Sequence, residues 1–231
     1  MHMPIVAHTE GCQPIPGESY TTQTAYPPGP HIPAEVHPDL NLAIQGWVSS
    51  SAPRQLVDYA GSHDANAPQF HGLFAQRRLP TFATAYQVYS WDWAHMRRGP
   101  LTAWPPVTAL GLRTTPGETL HVPDSGYSIG NGYAVLVLYA SDERITLKYT
   151  REDNVVSGYT FHVDGVCVEA SLLALYQEDN RGERFAQPHP LPALRSRQAF
   201  GRAIGNKVVI AIRDTDTLMD PRSRLDWWRA Y

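Results

Sequence analysis

Tyr133-Ala134-Val135-Leu136-Val137-Leu138-Tyr139 is a nearly continuous apolar run. After a short polar turn at Ser141-Asp142-Glu143 the chain resumes with Arg144-Ile145-Thr146-Leu147-Lys148-Tyr149. Two runs of strand length joined by so few residues predict a β-hairpin. Further on, Lys207-Val208-Val209-Ile210-Ala211-Ile212 reads as another buried strand. Only Ser171 to Tyr176, around Leu172-Leu173-Ala174-Leu175, suggests a helix. Repeats and charge runs are absent, so antiparallel all-β is the natural class.

The pattern weakens toward the N-terminus. Residues 1–38 hold eight of the twenty prolines, including Pro27-Pro28-Gly29-Pro30. Such a stretch is neither a helix nor an interior strand, and it reads as a linker or a strap over the body. Residues 39–104 carry short β-like runs, such as Leu40, Leu42 and Ile44 alternating with polar residues, and Gln55 to Tyr59. Between them Gly61 to Pro68 is loop. Tyr86 to Trp93 alternates aromatic and polar residues, the period of a half-buried strand. Its aromatics, Trp91 and Trp93 among them, fit either core packing or a stacking platform for sugar rings. The expected organisation is an arm over 1–38, a β-rich part over 39–104 and a β-barrel or sandwich over 105–231.

Composition bounds the function. The 231 residues are 42% hydrophobic and 18% charged, as in an ordinary globular protein. No stretch approaches the roughly 20 apolar residues that a membrane-spanning helix needs. A net charge of -3 gives no electrostatic case for nucleic acid. Cys12 and Cys167 fit either one disulfide, pinning the arm to the body, or two unpaired thiols. A signal peptide is not visible, and Met1-His2-Met3 reads as an expression remnant ahead of a mature sequence. The Pro- and Ser/Thr-rich leader after it favours an extracytoplasmic or secreted home.

Two stretches resemble the M23 (lysostaphin-like) zinc peptidases. The first runs from Val107 to Gly132, where Gly117, Gly126 and Gly132-Tyr133 stand in the family's order around Thr115-Pro116-Gly117 and Asp124-Ser125-Gly126. The second contains Arg197-Gln198-Ala199-Phe200-Gly201, then Lys207 to Asp214, then Asp220-Pro221-Arg222. The resemblance covers about residues 105–222 and implies that family's β-barrel. It also implies where zinc ligands should be. The first His falls at Val107, the Asp at Gly111, the His-x-His on Lys207 and Val209, and a further His on Arg151. Catalytic zinc needs three ligands drawn from His, Asp, Glu or Cys, and valine and glycine offer none. The resemblance therefore implies a degenerate, zinc-free relative that is not a peptidase of this kind, with no metal and no cofactor expected.

Candidate residues for a replacement role lie after the hairpin. Alternation would put Tyr149, Arg151 and Asp153 on one face of an extended strand, with Tyr159 and His162 in the next extended piece. If both flank the old groove, Asp153, His162 and Tyr149 are candidates for acid–base catalysis. Arg151, Tyr159, Asp214, Trp91 and Trp93 are then candidates for ligand binding. A purely structural role, with Arg151 paired to Asp153 or Glu152, fits the same residues. The pair Trp227-Trp228 could cap a barrel end or stack on sugars. The expected function is binding of a glycan or cell-wall polymer such as peptidoglycan in the former groove of a secreted bacterial protein. The alternatives are a zinc-independent polysaccharide hydrolase or lyase, and a structural or assembly module that could form an oligomer.

Overall fold

The computed structural model describes residues 12–26, 32–179 and 188–231. The start at Met1-His2-Met3 and the Pro27–Pro30 run lie outside the described residues. The described residues form fourteen strands: β1 (Thr21–Ala25), β2 (Trp47–Ser49), β3 (Phe82–Asp92), β4 (Arg97–Leu101), β5 (Ala109–Arg113), β6 (Thr119–His121), β7 (Val135–Ala140), β8 (Arg144–Lys148), β9 (Tyr159–Asp164), β10 (Val166–Val168), β11 (His189–Leu194), β12 (Ala199–Ala203), β13 (Lys207–Asp214) and β14 (Thr217–Leu218). Among them the α-helices are α1 (Ala170–Asp179) and α2 (Arg224–Trp227). The class is all-β, and the strand ladders are antiparallel.

The larger sheet runs β1-β11-β7-β8-β9-β13-β5-β3-β2, with β14 beside β13 and β4 beside β3. A barrel or sandwich was expected; this sheet is not a closed barrel, because β1 and β2 are its two ends and do not pair with each other. A second sheet, β10-β12-β6, lies apart from it. The strands of the 39–104 stretch belong to the same large sheet, since β3 pairs with β5 through Ala85↔Leu110 and Tyr86↔Ala109. Part of the expected arm does too. Thr21 to Ala25 pairs along β11 as an edge strand.

Alternation explains why the sheet packs as it does. In β8, β9 and β13 one set of side chains comprises Ile145, Leu147, Phe161, Val163, Val208, Ile210 and Ile212, all in the main core. Val166, Val168, Phe200, Ala203 and Leu120 close that core from the small sheet. Strand β7 is buried along its whole length, which is why its sequence is apolar rather than alternating. Trp227 and Trp228 are core residues as well. Phe70 stacks on Trp227 at 5.4 Å, and the two indole N–H groups donate to the carbonyls of Asp220 (2.8 Å) and Pro221 (2.9 Å). Burying such large side chains stabilises by roughly 1.5–3 kcal/mol each or more. The helix expected near Ser171 is α1, whose first turn is held by Glu169: its carboxylate accepts from the Leu172 amide (2.9 Å).

Two sequence expectations differ. Leu40 to Ile44 is not a strand. Residues Leu42–Ile44 form a 3-10 turn that ends in Gly46, whose φ of 67° turns the chain into β2. Leu40 and Leu42 reach apolar surroundings by lying on the large sheet rather than within it. Gln55 to Tyr59 holds only a single bridge, Val57 to Ser223. Cys12 and Cys167 form a disulfide with Cα atoms 5.5 Å apart, tying the arm to β10. No helix among the described residues is long and apolar enough to cross a membrane.

Candidate functional site

The site is built on the face of the large sheet that does not meet the main core. In β8 that face carries Arg144, Thr146 and Lys148, and in β9 Thr160, His162 and Asp164. The register sets them in ranks across the sheet: Arg144↔Asp164↔Val209, Thr146↔His162↔Ala211 and Lys148↔Thr160↔Arg213. The rank through Val209 continues to Gly111 in β5, and Lys207 stands opposite Arg113. A small apolar cluster of Leu42, Val88, Ala109, Val209, Ala211 and Leu218, flanked by Trp47 and Tyr86, occupies this face beside the polar ranks.

Segment 39–45 lies over the polar ranks and leaves a crevice of about 20 Å³ at its border, enough for one water-sized group. Trp47, the Arg144–Asp164 ion pair, Val209, Ala211, His162, Thr146 and Asn41 are among the residues that line it. Next to Trp47, Lys207 Nζ donates to Tyr86 Oη at 2.8 Å, and the Trp47 and Tyr86 rings lie 6.3 Å apart.

The electrostatics beneath the segment are unusual. Lys148, His162 and Arg213 are all buried on one face. Burial pushes the His162 imidazole well below its ordinary range, and the Arg213 and Lys148 charges push it the same way. Burial likewise lowers Lys148 to about 8, against the pull of Glu152, Asp214 and Asp216. The segment supplies one carboxylate, Asp39, 3.3 Å from Arg213 and also accepting from Gln45 at 3.1 Å. Burial raises the Asp39 carboxyl despite Arg213.

Of the residues singled out in the sequence, His162 alone lines the crevice. Strand β8 stops at Lys148 and the chain bends, so the alternation expected of Tyr149, Arg151 and Asp153 does not continue. Tyr149 faces the core and donates to the Pro123 carbonyl at 3.1 Å. Asp153 is wholly buried with His189 Nε2 2.9 Å from its carboxylate. Arg151 donates to the Thr24 carbonyl (2.7 Å) and lies over the Tyr26 ring, fastening the arm. Tyr159 donates to Asp64 at 3.0 Å, and Asp214 accepts from Thr215. Trp91 and Trp93 stand at the far end of β3 with rings 6.4 Å apart and inclined by 72°, so they offer no common plane for a sugar. Asp153, Tyr149 and His162 therefore do not form one constellation.

Trp47, Tyr86, Lys207, Thr146, Arg144 and Asp164 were not singled out. For Arg144, Thr146 and Asp164 the signal was present in Arg144-Ile145-Thr146-Leu147-Lys148 and Thr160-Phe161-His162-Val163-Asp164, where polar residues alternate strictly with apolar ones. Two adjacent strands of that kind place their polar residues side by side. Comparison with protein-family models, with curated proteins and with solved structures finds no match.

Proposed function

We propose that the protein is a zinc-free relative of the M23 peptidases that binds a glycan or cell-wall polymer along this groove. The observation that carries the reading is the setting of Gly111, Val209 and Lys207. The resemblance assigns zinc-ligand positions to these three residues. Gly111 and Val209 are paired across β5 and β13, and a Cβ built on Gly111 would come within 2.9 Å of Lys207 Cδ. On this reading the Lys207 side chain, whose ammonium donates to Tyr86 Oη at 2.8 Å, stands in for a ligand beside the other two positions. Beside it, Trp47 and Tyr86 offer apolar ring surface next to polar groups, the mixture that saccharides need. The Cys12–Cys167 disulfide supports an extracytoplasmic home, since such bonds persist in oxidising compartments.

Binding is favoured over hydrolysis. A glycosidase needs two carboxyl groups across a cleft, and the crevice is lined by one, Asp164, which Arg144 holds. The test is retention on peptidoglycan and on a polysaccharide panel, with and without a chelator, with mass spectrometry for released products. Retention without products is expected. Chelator-insensitive products would make the protein a metal-independent hydrolase or lyase, and chelator-sensitive peptide cleavage would defeat the zinc-free reading. If nothing is retained, an assembly role takes its place.

A further inference from the structure

The inner end of the crevice has a defined hydrogen-bonding polarity. Thr146 Oγ1 lies 2.6 Å from the Leu40 carbonyl, which only accepts, so the hydroxyl proton points there. The same oxygen is 3.0 Å from His162 Nδ1. With its proton committed, Thr146 acts as the acceptor in that contact and Nδ1 carries the hydrogen. The neutral imidazole then presents an unprotonated Nε2. That atom is buried with no hydrogen-bond partner among the described residues, and His162 is 5% exposed. Asn41 shows the same pattern. Its Nδ2 donates to the Glu35 carbonyl at 2.8 Å, which fixes the amide orientation, and its Oδ1 is buried without a partner. Both residues line the crevice. Two buried acceptors at one narrow site call for a donor, because an unsatisfied buried polar atom costs about 1–3 kcal/mol.

The sign of the donor's charge follows from its neighbours. Arg213 and Lys148 are buried on the same face as His162, and Arg144 lines the crevice, against the carboxylates of Asp39 and Asp164. Burial above all, and the Arg213 and Lys148 charges with it, keep His162 unprotonated, and both oppose an ammonium at Nε2. A neutral hydroxyl meets both requirements, and the crevice admits a group of that size. Resting on the saccharide reading above, we infer that the crevice is a subsite for a single neutral hydroxyl of the bound sugar, which donates to His162 Nε2 or Asn41 Oδ1 while the ring lies against Trp47. The subsite selects uncharged hydroxylated sugars over O-alkylated ones and rejects ammonium groups.

The test uses the intact protein at pH 6 with three probes, followed by the ¹⁵N resonance of His162 Nε2 and the indole N–H resonance of Trp47. Cellotetraose is expected to move both signals. Fully O-methylated cellotetraose, which keeps the rings and loses every donor, is expected to bind at least ten-fold more weakly and to leave Nε2 unmoved. Ammonium at 0.1 M, close to water in size, fits the crevice and is expected to leave Nε2 unmoved. Response of Trp47 to cellotetraose with His162 silent overturns the hydroxyl subsite while leaving saccharide binding intact. So does equal binding of the methylated sugar, or a shift of Nε2 by ammonium. Silence of both residues toward every sugar overturns the subsite together with the groove reading beneath it.

Discussion

Arg213 Nη2 lies 3.3 Å from Asp39 Oδ1, and the two are the oppositely charged anchors between segment 39–45 and the sheet. Arg213 is 4% exposed, and its Nε lacks a hydrogen-bond partner. The contact is therefore a nearly dry ion pair whose cation is only partly satisfied. Such pairs contribute little net stability, but removing Asp39 leaves the buried Arg213 with the exposed Asp216, 3.4 Å away, as its remaining ion-pair partner among the described residues.

The first prediction concerns that loss. Asp39→Ala is expected to destabilise the protein by about 1–3 kcal/mol in denaturant titration, short of the cost of a fully orphaned charge because Asp216 still contacts Arg213, and Asp39→Asn by less, because the amide still accepts a hydrogen bond. Faster amide exchange should appear first at residues 40–45. If Asp39→Ala leaves both stability and exchange unchanged, the segment is held by its apolar contacts alone.

His162 sets an acid limit. Its folded-state imidazole lies well below the ordinary range, while the unfolded chain takes up a proton near pH 6.5. Between those two values the unfolded state binds more protons, so stability falls as pH drops below about 6.5. His71 and His121 are shifted downward by burial as well and add to the slope. His162→Gln should flatten the acid-side dependence by about one proton's worth and leave the contribution of the other two. Measurement of unfolding free energy from pH 7 to 4 in both proteins checks this.

Much of the fold was legible because burial on both faces leaves no room for polar residues. The run Val135 to Ala140 says strand whatever surrounds it. The same is true of Lys207 to Asp214, and Leu172 to Leu175 marks the helix. Leu40 to Ile44 misled because alternation over five residues also suits a segment lying on a sheet, and Pro38 just before it was the sign that a ladder would not start there. Sheet closure depends on what pairs with β1 and β2, which no local pattern encodes. The site was less legible. His162 was identified as a candidate residue, but its neighbours Thr146, Asp164 and Arg144 come from the strand register, and Trp47 and Asn41 from a turn more than a hundred residues away. For Tyr149 and Asp153 the alternation was carried past Lys148, where the strand ends, so the shared face it implied does not form.

Lys148 sets an alkaline counterpart to the acid limit. Burial brings its ammonium to about 8 in the folded protein, against about 10.4 in an unfolded chain. A lowered base is a penalty that is fully present below pH 8 and is relieved as pH rises toward 10. Wild-type stability should therefore climb by about 1–3 kcal/mol between pH 8 and 10 relative to Lys148→Met, whose own profile should lack that rise. The window ends near pH 10, where the unfolded chain's tyrosines ionise while Tyr149 and Tyr159, pushed upward by burial, stay protonated.

The last prediction concerns Gly111, where the proposed family resemblance sets a zinc ligand. A Cβ on Gly111 would stand 2.0 Å from Thr84 Oγ1 and 2.9 Å from Lys207 Cδ, so even alanine forces a shift. Gly111→Ala is expected to cost about 1–3 kcal/mol through overpacking. Thr84→Ala removes the nearest obstacle, and that hydroxyl has no hydrogen-bond partner to lose. The double variant should thus be less damaged than the sum of the two single ones, a coupling of about 1 kcal/mol or more in a double-mutant cycle. Gly111→Asp places a larger side chain in the same gap and should destabilise further without gaining zinc affinity, since Val107 and Val209 supply no second ligand. Additive single-variant effects would mean that the strand shifts freely, and that Gly111 is not confined by the Thr84 and Lys207 side chains.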